Sequence, residues 1–178
     1  MIIIEGPDNS GKTCLINDLC GQFPELTRVK SPGPKANYDW WMEWLKKPPE
    51  ELYRTIFDRF YFSQLVYGPL VRQQLELTLQ EQEVLESMMW AANPLIIRCN
   101  LIDDEERFSN REQLFDWETA RSAQKLYDKA FGDFEYLYYA WKLPASGEIV
   151  FNQVHRYLIN YEYPVSYTHL TLPTILLV

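Results

Sequence analysis

The chain is poor in the residues that build metal clusters and covalent frameworks, with 3 cysteines, 2 histidines and 7 glycines in 178 residues. Cys14, Cys20 and Cys99 are unevenly spaced and form no Cys-x-x-Cys pair. That argues against a disulfide framework or a zinc site and suits a reducing, cytoplasmic setting. His155 falls on a helical pattern and His169 near the end, so a histidine-based mechanism has no support. Positive charge is also scarce: 17 Lys and Arg stand against 25 Asp and Glu, a net charge of −8. That balance argues against broad electrostatic capture of nucleic acid. No apolar run is long enough for a bilayer, and an apolar strand pattern from residue 2 leaves no room for a signal peptide. What the chain does have is core. With 47% hydrophobic and 15% aromatic residues, it is not disordered, and its length suits one compact domain.

The most informative stretch is Gly6-Pro7-Asp8-Asn9-Ser10-Gly11-Lys12-Thr13, which reads G-x-x-x-x-G-K-T. Ile2-Ile3-Ile4 before it is a β-branched run that reads as a buried strand. After it, Leu15, Ile16 and Leu19 mark a helix over residues 14–20. Strand, glycine loop and helix together make a phosphate cradle, in which backbone N–H groups approach anionic oxygens closely. Asn9, Ser10, Gly11, Lys12, Thr13 and Cys14 would hold the phosphates of a nucleoside triphosphate. Lys12 reaches the β/γ-phosphates, and the Thr13 hydroxyl ligates Mg²⁺. A nucleotide is an anion, so an acidic chain that binds one needs a local cluster of cations.

Further along, Thr27–Lys30 reads as a short strand, stopped by Ser31-Pro32-Gly33-Pro34. Tyr38–Lys46 reads as a helix ended by Pro48-Pro49, and residues 53–57 as a strand. Residues 60–74 look helical, with a bend at Gly68-Pro69. Thr78 and Glu81 form a capping box for a helix reaching about Ala92. Leu95–Cys99 is a buried-strand pattern, and Asp116 caps a helix to about Phe131. Leu137–Leu143 is strand-like, and Ser146 caps a last helix with Val150, Val154, Leu158 and Tyr161 on one face. Alternating strands and helices predict an α/β fold, a mostly parallel sheet with helices on both faces. Residues 165–178 break the composition of everything before them. They resemble translated sequencing-adapter read-through and are set aside as non-native, leaving a domain over 1–164.

The second motif is Asp58-Arg59-Phe60-Tyr61-Phe62-Ser63-Gln64-Leu65-Val66-Tyr67. It puts an acid and a base at a strand's carboxyl end, where parallel sheets bind ligands. With the glycine loop, this stretch resembles the D-R-[FY]-x-x-S-x-x-x-[FY] motif of thymidylate kinases and their viral relatives. An acid two residues after the first glycine, here Asp8, is a habit of that family. The resemblance covers roughly residues 1–160. It implies a P-loop nucleotide-kinase fold with a five-stranded core, ATP and Mg²⁺ as cofactors, and phosphoryl transfer to a nucleoside monophosphate. By motif position, Arg59 would hold the acceptor phosphate, and Asp58 would help place the metal's water or the acceptor. Asp8 would meet the sugar 3′-hydroxyl, favouring a deoxynucleotide such as dTMP, while Ser63 and Tyr67 would face the nucleoside.

Phosphoryl transfer needs in-line positioning and cations around the moving oxygens. Lid cations are sought at about residues 100–115, where Arg107 and Arg111 are spaced to share a helix face. Arg98, in a strand, and Arg72, just past the bend, are further candidates, Arg72 for the acceptor phosphate. Trp40, Trp41 and Trp44 fit core packing better than base stacking. Gly68 stands where thymidylate kinases commonly carry glutamine, so the base is left open. The expected partner is a small nucleotide, not a nucleic acid or a membrane, with a homodimer left open; a short acidic kinase of this kind suits a virus or mobile element. The alternatives are a deoxynucleoside kinase, which usually carries E-R-S where Asp58-Arg59-Phe60 stands, a non-kinase P-loop protein, and a relative that only binds ATP.

Overall fold

The structure is a computed structural model and describes residues 1–73, 77–101, 105, 108, 115–141 and 143–162, with the side chains of 161 and 162 left out. The proposed lid arginines, Arg107 and Arg111, and the atypical residues 165–178 lie outside the described residues, as does the side chain of Tyr161.

Five strands form one parallel sheet: β1 (Ile2–Glu5), β2 (Thr27–Lys30), β3 (Thr55–Asp58), β4 (Leu95–Asn100) and β5 (Leu137–Ala140), in the order β2-β3-β1-β4-β5. β1 takes the centre because its three isoleucines can be buried on both faces. Ile3, with Phe57 and Ile96 on neighbouring strands, faces one apolar cluster, and Ile2 and Ile4, with Ile56 and Ile97, face the other. Side chains alternate across a pleated strand, so one run of isoleucine supplies both cores.

Helix α1 (Lys12–Gln22) and helix α7 (Pro144–Glu162) cover one face. The other carries α2 (Tyr38–Leu45), α4 (Phe62–Tyr67), α5 (Leu79–Ala92) and α6 (Trp117–Ala130). A four-residue α3 (Pro49–Leu52) follows Pro48, where the sequence reading had only a stop; proline is well suited to a first helical position. The Thr78–Glu81 capping box is present in both directions, and Asp116 accepts the Thr119 amide at 2.8 Å. The bend at Gly68-Pro69 is a turn of π-helix over Gly68–Arg72.

Two expectations are corrected. The last strand ends at Ala140, and Ser146 does not cap α7, which already begins at Pro144. The Ser146 hydroxyl instead bonds backward to the Ala140 backbone at 2.9 and 3.2 Å, tying the helix start to the strand end. Trp41 is fully buried, and the Trp40 and Trp44 rings pack edge-on to Phe57, so these tryptophans serve the core.

Candidate active site

The glycine loop joins the carboxyl end of β1 to the first turn of α1, and its path depends on two glycines. Gly6 has φ 145°, and a Cβ there would lie 2.2 Å from the Cys99 carbonyl oxygen, so the loop can leave β1 only without a side chain. Gly11 has φ 86°, and its Cβ would strike Trp141 at 2.8 Å. No side chain caps α1. The first-turn amides of Lys12, Thr13 and Cys14 therefore keep donors directed at the loop, with the positive end of the helix dipole behind them. Thr13 and Cys14 are exposed. Ser10 is fully buried and donates to the Pro7 carbonyl at 2.8 Å. Lys12 is buried, its ammonium folded back on the Pro7 carbonyl and 3.4 Å from Ser10 Oγ. Burial first, and the Arg59 guanidinium second, bring the Lys12 pKa down to about 7.

Arg59 comes to the same loop from β3. β3 runs beside β1 with Ile4 opposite Asp58, and the Arg59 amide extends the ladder to the Ile4 carbonyl at 3.0 Å. The chain then turns sharply, with Arg59 at φ 74°, a left-handed conformation that is costly for a residue with a Cβ. This turn carries the guanidinium over the loop. One terminal nitrogen lies 2.6 Å from Asp8 Oδ1; the other donates to Ser63 Oγ at 3.1 Å and to Tyr127 Oη at 3.0 Å. The group also sits 5.2 Å from the Tyr67 ring centre. Asp58 faces elsewhere, paired at 2.5 Å with Arg28 of β2.

Behind Arg59 lies a group that the sequence reading left out. Glu5, fully buried, accepts the Phe60 amide at 2.7 Å, the Ser63 hydroxyl at 2.7 Å and the Tyr127 hydroxyl at 3.1 Å. Burial raises its pKa, and Arg59 is the main opposing influence. Its signal was present in the sequence: an acid closing a buried isoleucine strand must find partners. Tyr127 had no such signal, because it lies 68 residues from Arg59 and only folding brings α6 across the site.

In front of Arg59 opens a cleft of about 190 Å³, lined among others by Asp8, Ser63, Gln64, Tyr67, Arg72 and Phe115. Asp8, Arg59, Ser63, Tyr67 and Arg72, predicted from two separate motifs and a bend, thus share one wall system. Gln64 was missed. Its amide nitrogen donates to the Ala36 carbonyl at 3.1 Å, which turns its oxygen to receive Arg72. The Tyr67 ring is stacked on Phe115, centres 5.2 Å apart. Arg98, a lid candidate from sequence, is instead 3% exposed and bonded to Asp128 and the Gln124 carbonyl of α6. It is a packing residue.

Among the described residues, no group of three His, Cys, Asp or Glu side chains could hold a metal ion by itself. Thr13 offers an exposed hydroxyl that would suit an ion arriving already coordinated by phosphates and water, such as Mg²⁺, whereas the buried Asp58 carboxylate is taken up by Arg28 and would reach such an ion only on leaving that partner. Nor is any described helix long and apolar enough to cross a membrane.

No protein-family profile matches the sequence, and no curated protein matches it. Solved structures do match in fold. One is the YorR protein of Bacillus subtilis, solved in complex with phosphorylated GDP. The two share 18% identity over 91% of this chain and 97% of that one, with a TM-score of 0.65. The α/β fold expected from the alternation of strands and helices, with a five-stranded sheet and helices on both faces, is the fold observed, its sheet parallel throughout.

Proposed function

We propose that this chain is a nucleoside monophosphate kinase that uses ATP to phosphorylate a deoxynucleoside monophosphate, dTMP or a similar species. The observation that carries the reading is the 2.6 Å contact between Arg59 and Asp8. It joins an arginine from the second motif to the glycine loop of the first, so two anion-binding elements share one cleft. In this reading an oxygen of the acceptor phosphate bonds to the γ-phosphorus while the bond to the β,γ-bridging oxygen breaks, releasing ADP and the nucleoside diphosphate.

The residues divide the work. The loop amides and Lys12 hold the donor phosphates, and Lys12 leaves the Pro7 carbonyl to do so. Arg59 holds the acceptor phosphate, which a guanidinium fork grips better than an ammonium would. Asp8, released from Arg59 by that phosphate, turns to the sugar hydroxyl, with Ser63, Tyr67 and Arg72 along the acceptor. Thr13 and Asp58 would hold a Mg²⁺ ion, which when bound neutralises charge on the phosphate oxygens. Arg107 and Arg111 remain the proposed lid cations. A cytoplasmic setting goes with three free cysteines.

The test is a panel of deoxynucleoside and ribonucleoside monophosphates, and of the free nucleosides, with ATP and Mg²⁺. Guanine nucleotides belong in it because the YorR structure contains one. Product from a monophosphate alone supports the reading. Product from thymidine or another nucleoside replaces it with a nucleoside kinase, and ATP binding without any product replaces it with a binding protein.

A further inference from the structure

The hydrogen bonds behind Arg59 all run one way. An ionised carboxylate has acceptors only, and Glu5 receives the Phe60 amide on one oxygen and the Ser63 and Tyr127 hydroxyls on the other. A hydroxyl that gives its proton toward Glu5 turns its lone pairs away from it. Those of Ser63 and Tyr127 meet the same nitrogen of Arg59, at 3.1 and 3.0 Å. The two hydroxyls are also 2.9 Å apart. Each hydroxyl has a single proton, so one that donates to the other gives up its own bond to Glu5, and the chain of donors still begins at the guanidinium and ends at the carboxylate.

We propose that Glu5 and Tyr127 are positioning residues, which fix the Arg59 guanidinium in the cleft by aiming two hydroxyl lone pairs at it. This rests on the reading of Arg59 as the acceptor-phosphate ligand. The physical need is plain: Arg59 leaves the sheet on a left-handed turn, and its long side chain is fixed in the cleft by contacts at the guanidinium. Its front contact, Asp8, is the one a substrate phosphate displaces. What remains after displacement is the Tyr67 ring 5.2 Å away and the rear pair of hydroxyls, the direct hydrogen-bond acceptors, whose polarity depends on the carboxylate. An amide at position 5 would set its N–H groups either against the Phe60 amide or against the two hydroxyls, and in the second case would turn O–H dipoles toward a cation. Cooperative chains of this kind lose more than one bond when one member fails. The other titratable groups around Glu5 do not replace it: Cys99 on β4 and Tyr61 before α4 are both held protonated by burial, and Lys12 on α1 is bonded to the loop.

The experiment compares wild type, Tyr127→Phe, Ser63→Ala, Glu5→Gln and Arg59→Ala, and adds Tyr127→Phe in the Arg59→Ala background. Two readouts are used on the full chain. The first is steady-state kinetics with dTMP, or whichever monophosphate the panel selects, beside ATP affinity from tryptophan fluorescence. Tyr127→Phe and Ser63→Ala should each lower kcat/KM for the acceptor about tenfold and Glu5→Gln about a hundredfold, with ATP affinity unchanged. Tyr127→Phe should add nothing once Arg59 is alanine. The second is the Arg59 Nε–H signal in ¹⁵N spectra, assigned by its loss in Arg59→Ala and observable without turnover. It should be sharp in wild type and exchange faster in Tyr127→Phe and Glu5→Gln. Should wild type phosphorylate no acceptor, the kinase reading fails and the spectra still decide the positioning. An unchanged Arg59 signal in Tyr127→Phe, or losses that multiply independently of Arg59, overturns the proposal. If Glu5→Gln does not fold, Tyr127→Phe and Ser63→Ala carry the test.

Discussion

Two arginines on neighbouring regions of the sheet are held by adjacent residues of one helix, and they serve different ends. Tyr127 bonds Arg59, while the next residue, Asp128, bonds Arg98. A step of one residue turns about 100° around a helix, so α6 can hold two separate cations. Arg98 has 4% of its side chain exposed, roofed by the Tyr136 and Tyr138 rings at 5.8 and 5.5 Å. Its charge is balanced by Asp128, which is 56% exposed and reaches in from solvent. Arg59 keeps 20% exposure at the cleft, held from behind by neutral hydroxyls and in front by one carboxylate. A cation sealed from solvent under aromatic rings and bonded through its terminal nitrogens to a helix contributes packing. A cation held from behind and closed in front by one carboxylate is arranged to exchange that partner for a ligand.

The sharpest way to break this comparison is to remove the loop lysine and the two arginines one at a time. Lys12→Ala should lower kcat by about a thousandfold, the size expected for losing charge stabilisation in an enclosed phosphoryl-transfer site; single-turnover phosphorylation would measure it. Arg59→Ala should lower kcat/KM for the monophosphate by about a hundredfold or more, through both kcat and KM, with ATP affinity near wild type. Equal loss of ATP binding would show that Arg59 serves the donor. Arg98→Ala should do the reverse, costing about 1–3 kcal/mol of stability through lost bonds and packing. For a domain of this size that is roughly 3–10 °C in Tm, and kcat in the surviving protein should not change.

The smallest effect is a proton. In the ligand-free site Lys12 has a pKa near 7, below its ordinary value because of burial and Arg59. Above that pH much of the population holds a neutral amine, and a bound phosphate restores the charged form. Nucleotide binding between about pH 7 and 10 should therefore take up a fraction of a proton, vanishing below the depressed pKa where the amine is already charged. Calorimetry in buffers of different ionisation enthalpy reads this directly, and Lys12→Ala should abolish it.

The parts that were legible in advance share a reason. The glycine loop, the capping box at Thr78 and the isoleucine strand are local: each depends on residues within one turn or one strand, and the spacing alone states the backbone geometry. Arg59 and Asp8 were legible because each closes a strand or follows one in a parallel sheet, where ligands gather. Arg98 was misread for the opposite reason. A charged residue in a buried strand looks the same whether its partner is a substrate or a helix.

By itself the amino-acid order determined the sheet, the glycine loop and the pair of motifs at its carboxyl edge, since short-range sterics and burial dictate those. Only the tertiary structure decided which cation is open and which is sealed. That choice turned on Tyr127 and Asp128, whose helix meets β3 and β4 through contacts spanning 68 and 30 residues, a distance over which no local rule acts.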